Sequence, residues 1–213
     1  MEAKDIPSLS RELVPDVRGK CGMTNENVGR LFLAVPVSDQ VRAELSTHLR
    51  EALAGERLPG RAVPAENWHL TLRFLGDTES ASHDRLLREL RAATLGSPFM
   101  LEFGRCGAFP RPARASVLWL GVAQGEVPLR ALAAVVEAAV ERAGWTPESR
   151  PFSPHLTLSR IQPPRDVGAL LERIPPFPER LAVEEVVLYR SHLGGGRVRY
   201  EPLEQFPLGT LTP

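Results

Sequence analysis

Apolar and polar positions along this chain alternate between two periods, one of strands and one of helices. Residues 31–35, Leu-Phe-Leu-Ala-Val, make a short apolar run closed by Pro36, the pattern of a buried strand. Ser38 or Asp39 then caps a helix to about Leu53, with Val41, Leu45 and Leu49 along one face. A Pro/Gly-rich stretch covers 58–64. Residues 68–75 alternate as a strand does, and Gly76-Asp77 closes it. Leu86, Leu87 and Leu90 predict a second helix over 79–95, and 99–103 predict another strand. The order then recurs. Residues 117–120 read as a strand and 127–143 as an alanine-rich helix with Leu129, Leu132, Val136 and Val140 on one face. Residues 155–158 alternate again. A short helix is expected over 166–173 and a strand over 184–189. The glycines at 194–196 signal a turn, so 197–206 predict a last strand that closes a hairpin with 184–190.

One offset aligns the two series. His155 follows His69 by 86 residues, and the same step carries Leu31 to Val117, Leu33 to Trp119 and Phe103 to Tyr189. The chain therefore reads as an internal duplication, two βαβαβ lobes over about 30–110 and 116–195, within one domain of 30–208. Residues 1–29 lack periodicity and are expected to be a loosely attached, poorly structured extension. Residues 209–213 read as a tail. Met23 is a candidate initiator, an idea that a native N-terminus starting at Met1 or Glu2 would sink.

Composition sets bounds on partners. A formal net charge of +0 excludes a protein that coats nucleic acid through bulk charge, but leaves room for a local basic groove. Of 26 basic residues only Lys4 and Lys20 are lysines. Genomic base composition accounts for that bias, although arginine also forks onto phosphate. Cys21 and Cys106 form neither a disulfide framework nor a zinc knuckle, which points to a reducing, cytoplasmic setting. No apolar run is long enough to span a membrane, and no secretory signal is evident.

The repeated His-Leu-Thr-Leu carries the candidate chemistry. On an alternating strand His69, Thr71 and Arg73 share one face, opposite Leu70, Leu72 and Phe74. Likewise His155, Thr157 and Ser159 oppose Leu156 and Leu158. Two facing lobes would bring these polar faces around one cleft. Imidazole titrates near neutrality, so one histidine can serve as base and the other as acid. Threonine hydroxyls can hold phosphate oxygens. Displacement at phosphorus needs one group behind the nucleophile and one behind the leaving oxygen, and two such strands supply both.

Two H-x-T-x signatures, one per half, resemble the two-histidine (2H) phosphoesterase superfamily, in particular its RNA 2′,3′-cyclic phosphodiesterase branch, the 2′-5′ RNA ligase family. Arg30-Leu-Phe-Leu-Ala-Val, Trp68-His-Leu-Thr-Leu-Arg-Phe-Leu-Gly, Val117-Leu-Trp-Leu-Gly-Val and Pro154-His-Leu-Thr-Leu-Ser-Arg carry the resemblance, over about 30–208. It implies an α+β, duplicated bilobal fold, each lobe an antiparallel sheet with helices packed outside and the active-site cleft between them. It implies hydrolysis of RNA 2′,3′-cyclic phosphate ends to 2′-phosphomonoesters, or the reverse-type 2′-5′ ligation, with no metal and no cofactor. It makes His69 the proton donor to the leaving 3′ oxygen, His155 the base, and Thr71 and Thr157 the phosphate holders. Arg160, after the second motif, matches a family arginine, although alternation alone puts it on the leucine face. The family's basic residue before Val117 is replaced by Ser116, with Arg114 nearest.

Arg73 shares the His69 face and is a further substrate contact to consider, beside a bland role at a lobe edge. Phe109 could stack on a base or anchor its loop. Trp68 and Trp119 are expected in the core. His48, His83 and His192 are expected at the surface. No carboxylate or cysteine stands at ligand spacing from either motif histidine, which sets a zinc site aside. The expected partner is RNA with a 2′,3′-cyclic end or a cyclic nucleotide, met by a monomer. Two rival readings remain: a phosphodiesterase for small cyclic nucleotides or 2′-5′ linkages, and a non-catalytic module that binds RNA ends.

Overall fold

The computed structural model describes residues 26–194 and 197–209. The elements follow the expected order: β1 (Asn27–Pro36), α1 (Asp39–Ala52), β2 (Arg61–Ala62), β3 (His69–Glu79), α2 (Ser80–Ala92), β4 (Phe99–Phe109), β5 (Ala115–Gln124), α3 (Glu126–Arg142), β6 (His155–Arg165), α4 (Gly168–Arg173), β7 (Arg180–Val183), β8 (Glu185–Gly194) and β9 (Arg197–Pro207). The first strand starts at Asn27, inside the stretch expected to be an extension. The proposals made for Met23, for the glycine turn at 195–196 and for the end of the tail lie outside the described residues. β2 and β7 were not anticipated. β7 did carry a signal, since Arg-Leu-Ala-Val alternates exposed and buried.

Local chemistry explains the starts and stops. The Ser38 side chain accepts a bond from the Val41 amide at 3.3 Å, satisfying one of the donors a helix start leaves open. Asp39 in the first turn and Arg50 in the last suit the helix dipole. Gly60 turns at φ +76°, and a Cβ there would stand 2.4 Å from the Arg160 carbonyl. Only glycine lets this loop lie against β6, where β2 pairs.

All strand pairs are antiparallel, in the order β7-β4-β5-β6-β3-β1-β8-β9, with β2 beside β6. The two half-sheets meet at β3 and β6 through one pair, Leu70 with Leu156. These leucines are 86 residues apart and both are fully buried, so the local two-fold of the duplication runs through them.

The lobes are nevertheless not the two halves of the sequence. β4, from the first half, pairs with β5 and β7, whereas β8, from the second, pairs with β1 and β9. Each half donates its last strand to the other lobe. Helices cross as well: α3 follows β5 but packs with α2 against β3. α1 lies beside the chain that leads into β7. There His48 Nε2 is 3.1 Å from the Pro175 carbonyl, and Glu56, just beyond the helix, pairs with Arg173 at 3.1 Å. No described helix is long and apolar enough to cross a membrane.

Of the register irregularities in the sheet, two fall within the repeated motifs and break their alternation. Leu33 pairs with Arg73 and Ala34 with Thr71, which leaves Leu72 as an extra residue in β3. Leu118 pairs with Ser159 and Trp119 with Thr157, which leaves Leu158 extra in β6. The bulges are again 86 residues apart. A bulge re-aims the side chains that follow it, until the next shift in register. Phe74, expected on the leucine face, is 59% exposed, and Leu75 takes the buried place. Ser159, expected beside His155, is fully buried. Arg160, expected among the leucines, emerges on the cleft side instead.

Candidate active site

A cleft of about 870 Å³ opens between the half-sheets. His69 and Thr71 line it from β3, and His155 and Thr157 line it from β6. Antiparallel register around Leu70 and Leu156 sets His69 level with Thr157, and Thr71 level with His155.

Both imidazoles are held alike. His69 Nδ1 is 2.7 Å from the Asn67 carbonyl, and His155 Nδ1 is 2.7 Å from the Ser153 carbonyl. A carbonyl can only accept, so each Nδ1 carries the hydrogen and each neutral ring keeps its lone pair on Nε2. The residues that supply these carbonyls obey the same 86-residue step. Asn67 is buried and its side-chain amide donates to the Val198 carbonyl at 2.7 Å, tying this support to β9.

The surroundings differ between the two. His69 packs against Phe32 at 4.8 Å, Tyr200 at 5.2 Å and Tyr189 at 6.3 Å between ring centres. His155 meets Phe109 edge-on at 5.1 Å and Trp119 at 6.4 Å. Phe109 thus buttresses a histidine and also lines the cleft. Trp119 lies in its expected strand but is half-buried, its ring over the bare face of Gly107. Trp68 is in the core, its indole donating to the Val63 carbonyl at 3.0 Å.

Electrostatics favours neutral rings in the free cleft. Burial lowers the His69 pKa from 6.5 to about 4; its carbonyl bond opposes this, and Arg160 and His155 add to it. Burial also lowers the His155 pKa, again against its carbonyl bond and with help from Arg160. A phosphate diester carries one negative charge, so its arrival between these groups would favour the protonated form that an acid needs.

Arg73 lines the cleft but its guanidinium is engaged, 2.8 Å from Glu137 and bonded to the Thr146 carbonyl. It braces the segment that leads to β6. Ser116 Oγ donates to the Phe109 carbonyl at 3.2 Å. His48, His83 and His192 are not among the cleft residues; the last faces Glu201 at 2.6 Å. Tyr200 and Phe74 are cleft residues that the pattern of the sequence did not reveal. The strand of Tyr200 was expected, but its facing depends on how β9 reaches back past Asn67. Among the described residues no cluster of three His, Cys, Asp or Glu side chains could hold a metal ion.

Comparison with known proteins identifies the family and supports the fold. Residues 36–195 match the model of the 2′-5′ RNA ligase superfamily. An Escherichia coli protein named RNA 2′,3′-cyclic phosphodiesterase is 34% identical over 184 residues, which cover 84% of this chain and 96% of that protein. The Methanothermobacter thermautotrophicus protein of the same name is 32% identical over 84% of this chain and 98% of its own length. Among solved structures, Escherichia coli LigT complexed with 3′-AMP superposes with a TM-score of 0.71 at 32% identity, over 87% of this chain and all of that one. A Thermus thermophilus protein superposes with a TM-score of 0.68 at 32% identity, over 84% of this chain and 97% of that one. With fold, duplicated motifs and relatives in accord, the chain belongs to the 2′-5′ RNA ligase superfamily.

Proposed function

We propose that this protein is an RNA 2′,3′-cyclic phosphodiesterase that opens the cyclic end to a 2′-phosphomonoester by general acid–base catalysis. The observation that carries this reading is the matched pair of histidines, each fixed through Nδ1 to a backbone carbonyl and each with Nε2 free in one cleft beside a threonine. His155 takes a proton from water as its oxygen bonds to phosphorus. The bond from phosphorus to the 3′ oxygen breaks, and His69 delivers a proton to that oxygen. Thr71 and Thr157 donate hydrogen bonds to the non-bridging oxygens, where charge builds up. With a 5′-hydroxyl in place of water, the same displacement yields a 2′-5′ linkage. One chain supplies both histidines, so a monomer suffices. The free Cys106 suits a cytoplasmic setting.

The test is hydrolysis of a short RNA that ends in a 2′,3′-cyclic phosphate, in the presence of a chelator. The expected result is full turnover with the phosphate left on the 2′ oxygen. Turnover that needs added metal, or a 3′-phosphate product, would overturn the mechanism.

The depressed histidines also set a pH dependence. The profile of kcat/KM reports groups of the free enzyme. A base must be deprotonated and an acid protonated, so activity is confined between their two pKa values. Both lie below the usual 6.5, with His69 at about 4. The bell of kcat/KM should therefore sit wholly on the acidic side of 6.5, and the bell of kcat, with the phosphate bound, should sit higher. Arg160→Gln removes a charge that opposes protonation, and should move the kcat/KM bell upward. A kcat/KM optimum above pH 7 in the wild type would contradict this account.

A further inference from the structure

The local two-fold makes the histidines and threonines equivalent, but the symmetry fails one step further out. The bulges at Leu72 and Leu158 bring Phe74 and Arg160 to corresponding places, so one end of the cleft offers an aromatic face and the other a guanidinium. Register puts Arg160 beyond His69 and Thr157, and Phe74 beyond Thr71 and His155.

Arg160 is not alone at its end. Arg61 pairs with it across β2 and β6, and Arg165 lies further along β6, opposite Ala115. The turn that carries Arg111 and Arg114 runs directly into Ala115. It is tied down by the Val167 amide donating to the Pro112 carbonyl at 2.9 Å. These side chains are all exposed. Among the described residues Arg111, Arg114, Arg160 and Arg165 have no carboxylate partner, and the nearby Asp166 accepts the Gly168 amide at 2.8 Å. The opposite wall is different. There Arg73, Arg130 and Arg150 are each held by Glu137, Glu126 or Glu148. Four exposed arginines without a carboxylate partner thus stand on adjoining segments of β6 and the turn before β5, at this end of the cleft.

We infer that this rim is the track for the RNA chain that precedes the cyclic nucleotide, whose backbone phosphates run from Arg160 toward Arg165, Arg114 and Arg111. The inference rests on the reaction proposed above. The chemistry of ribose gives the direction. Its 3′ oxygen sits on the side of the sugar that continues through C4′ and C5′ to the preceding phosphate, and its 2′ oxygen sits on the side of the base. His69 protonates the 3′ oxygen and lies at the Arg160 end, so the chain leaves past the arginines. The base then lies toward Phe74. The preferred substrate is an oligomer rather than a mononucleotide.

The test compares a mononucleotide 2′,3′-cyclic phosphate with a five-nucleotide RNA that ends in one, using wild type and the double variant Arg114→Gln/Arg165→Gln. Binding of a labelled RNA with a 2′-phosphate end is followed by fluorescence anisotropy in parallel. Each phosphate gripped on a single strand steepens the dependence on salt by about 0.7 in the logarithm. For two phosphates, a rise from about 50 to about 200 mM salt should lower oligomer kcat/KM roughly sevenfold. The mononucleotide should barely respond. The double variant should lose most of that salt dependence and about tenfold in oligomer kcat/KM and affinity, with mononucleotide turnover unchanged. Oligomer turnover and binding that match wild type in the double variant would overturn the track. Salt-sensitive binding that the double variant loses, in a protein that turns over neither substrate, would support the track and reject the proposed reaction instead.

Discussion

His69→Ala and His155→Ala should each lower kcat on a cyclic-phosphate RNA by about 10²–10⁴, the usual worth of a positioned acid or base. In the proposed mechanism both act in one displacement, so the double variant should lose far less than the product of the single losses. KM should move little, because the threonines and the arginine rim are untouched. His69 is the more demanding case. Its ring fills a space among Phe32, Tyr189 and Tyr200, and alanine leaves a gap there. Thermal melting separates loss of chemistry from loss of fold, and His69→Gln, which fills more of that space, provides the control. Either alanine variant keeping a tenth or more of wild-type kcat while folded would remove that histidine from the mechanism.

Leu156→Ala should be among the most destabilising single substitutions in the chain, costing about 2–5 kcal/mol by the usual cost of emptying a buried leucine site. At roughly 2–4 °C per kcal/mol for a domain of this size, melting should fall by about 10 °C. Leu156 is fully buried and forms, with Leu70, the one paired position among the described residues where the half-sheets join. A cavity there also loosens the relative placement of His69 and His155, so activity should fall with stability. Phe74→Ala gives the contrast. Its ring is larger, yet at 59% exposure its removal should cost no more than about 0.5 kcal/mol. A simple alternating strand would put Phe74 on the core face with the leucines, so a costly Phe74→Ala would contradict the bulge at Leu72. Scanning calorimetry of the two variants decides the matter.

Much of this protein was legible in its sequence because the information is local. The period of apolar residues marks β1, α1, α2, α3 and the hairpin of β8 and β9, since each needs one face to bury. Ser38 marks a helix start because its side chain satisfies an amide that the helix cannot. The 86-residue step singled out the two strands whose histidines and threonines line the cleft.

What remained was decided by partners far apart in the chain. The exchange of β4 and β8 between lobes leaves no local trace, because an apolar strand reads the same beside either neighbour. The bulges at Leu72 and Leu158 need no glycine or proline, so His-Leu-Thr-Leu reads as unbroken alternation until β1 and β5 fix the register. From that register alone came the turn of Arg160 and Phe74 toward the cleft. The depressed histidines likewise had to await assembly: burial dominates both shifts, and it comes from Phe32, Tyr189, Tyr200, Phe109 and Trp119 closing around the rings. The sequence by itself determined which side chains could do the chemistry, because that is a property of residue type and spacing. Only the tertiary structure decided which way they face and how readily they hold a proton, because both depend on what packs against them.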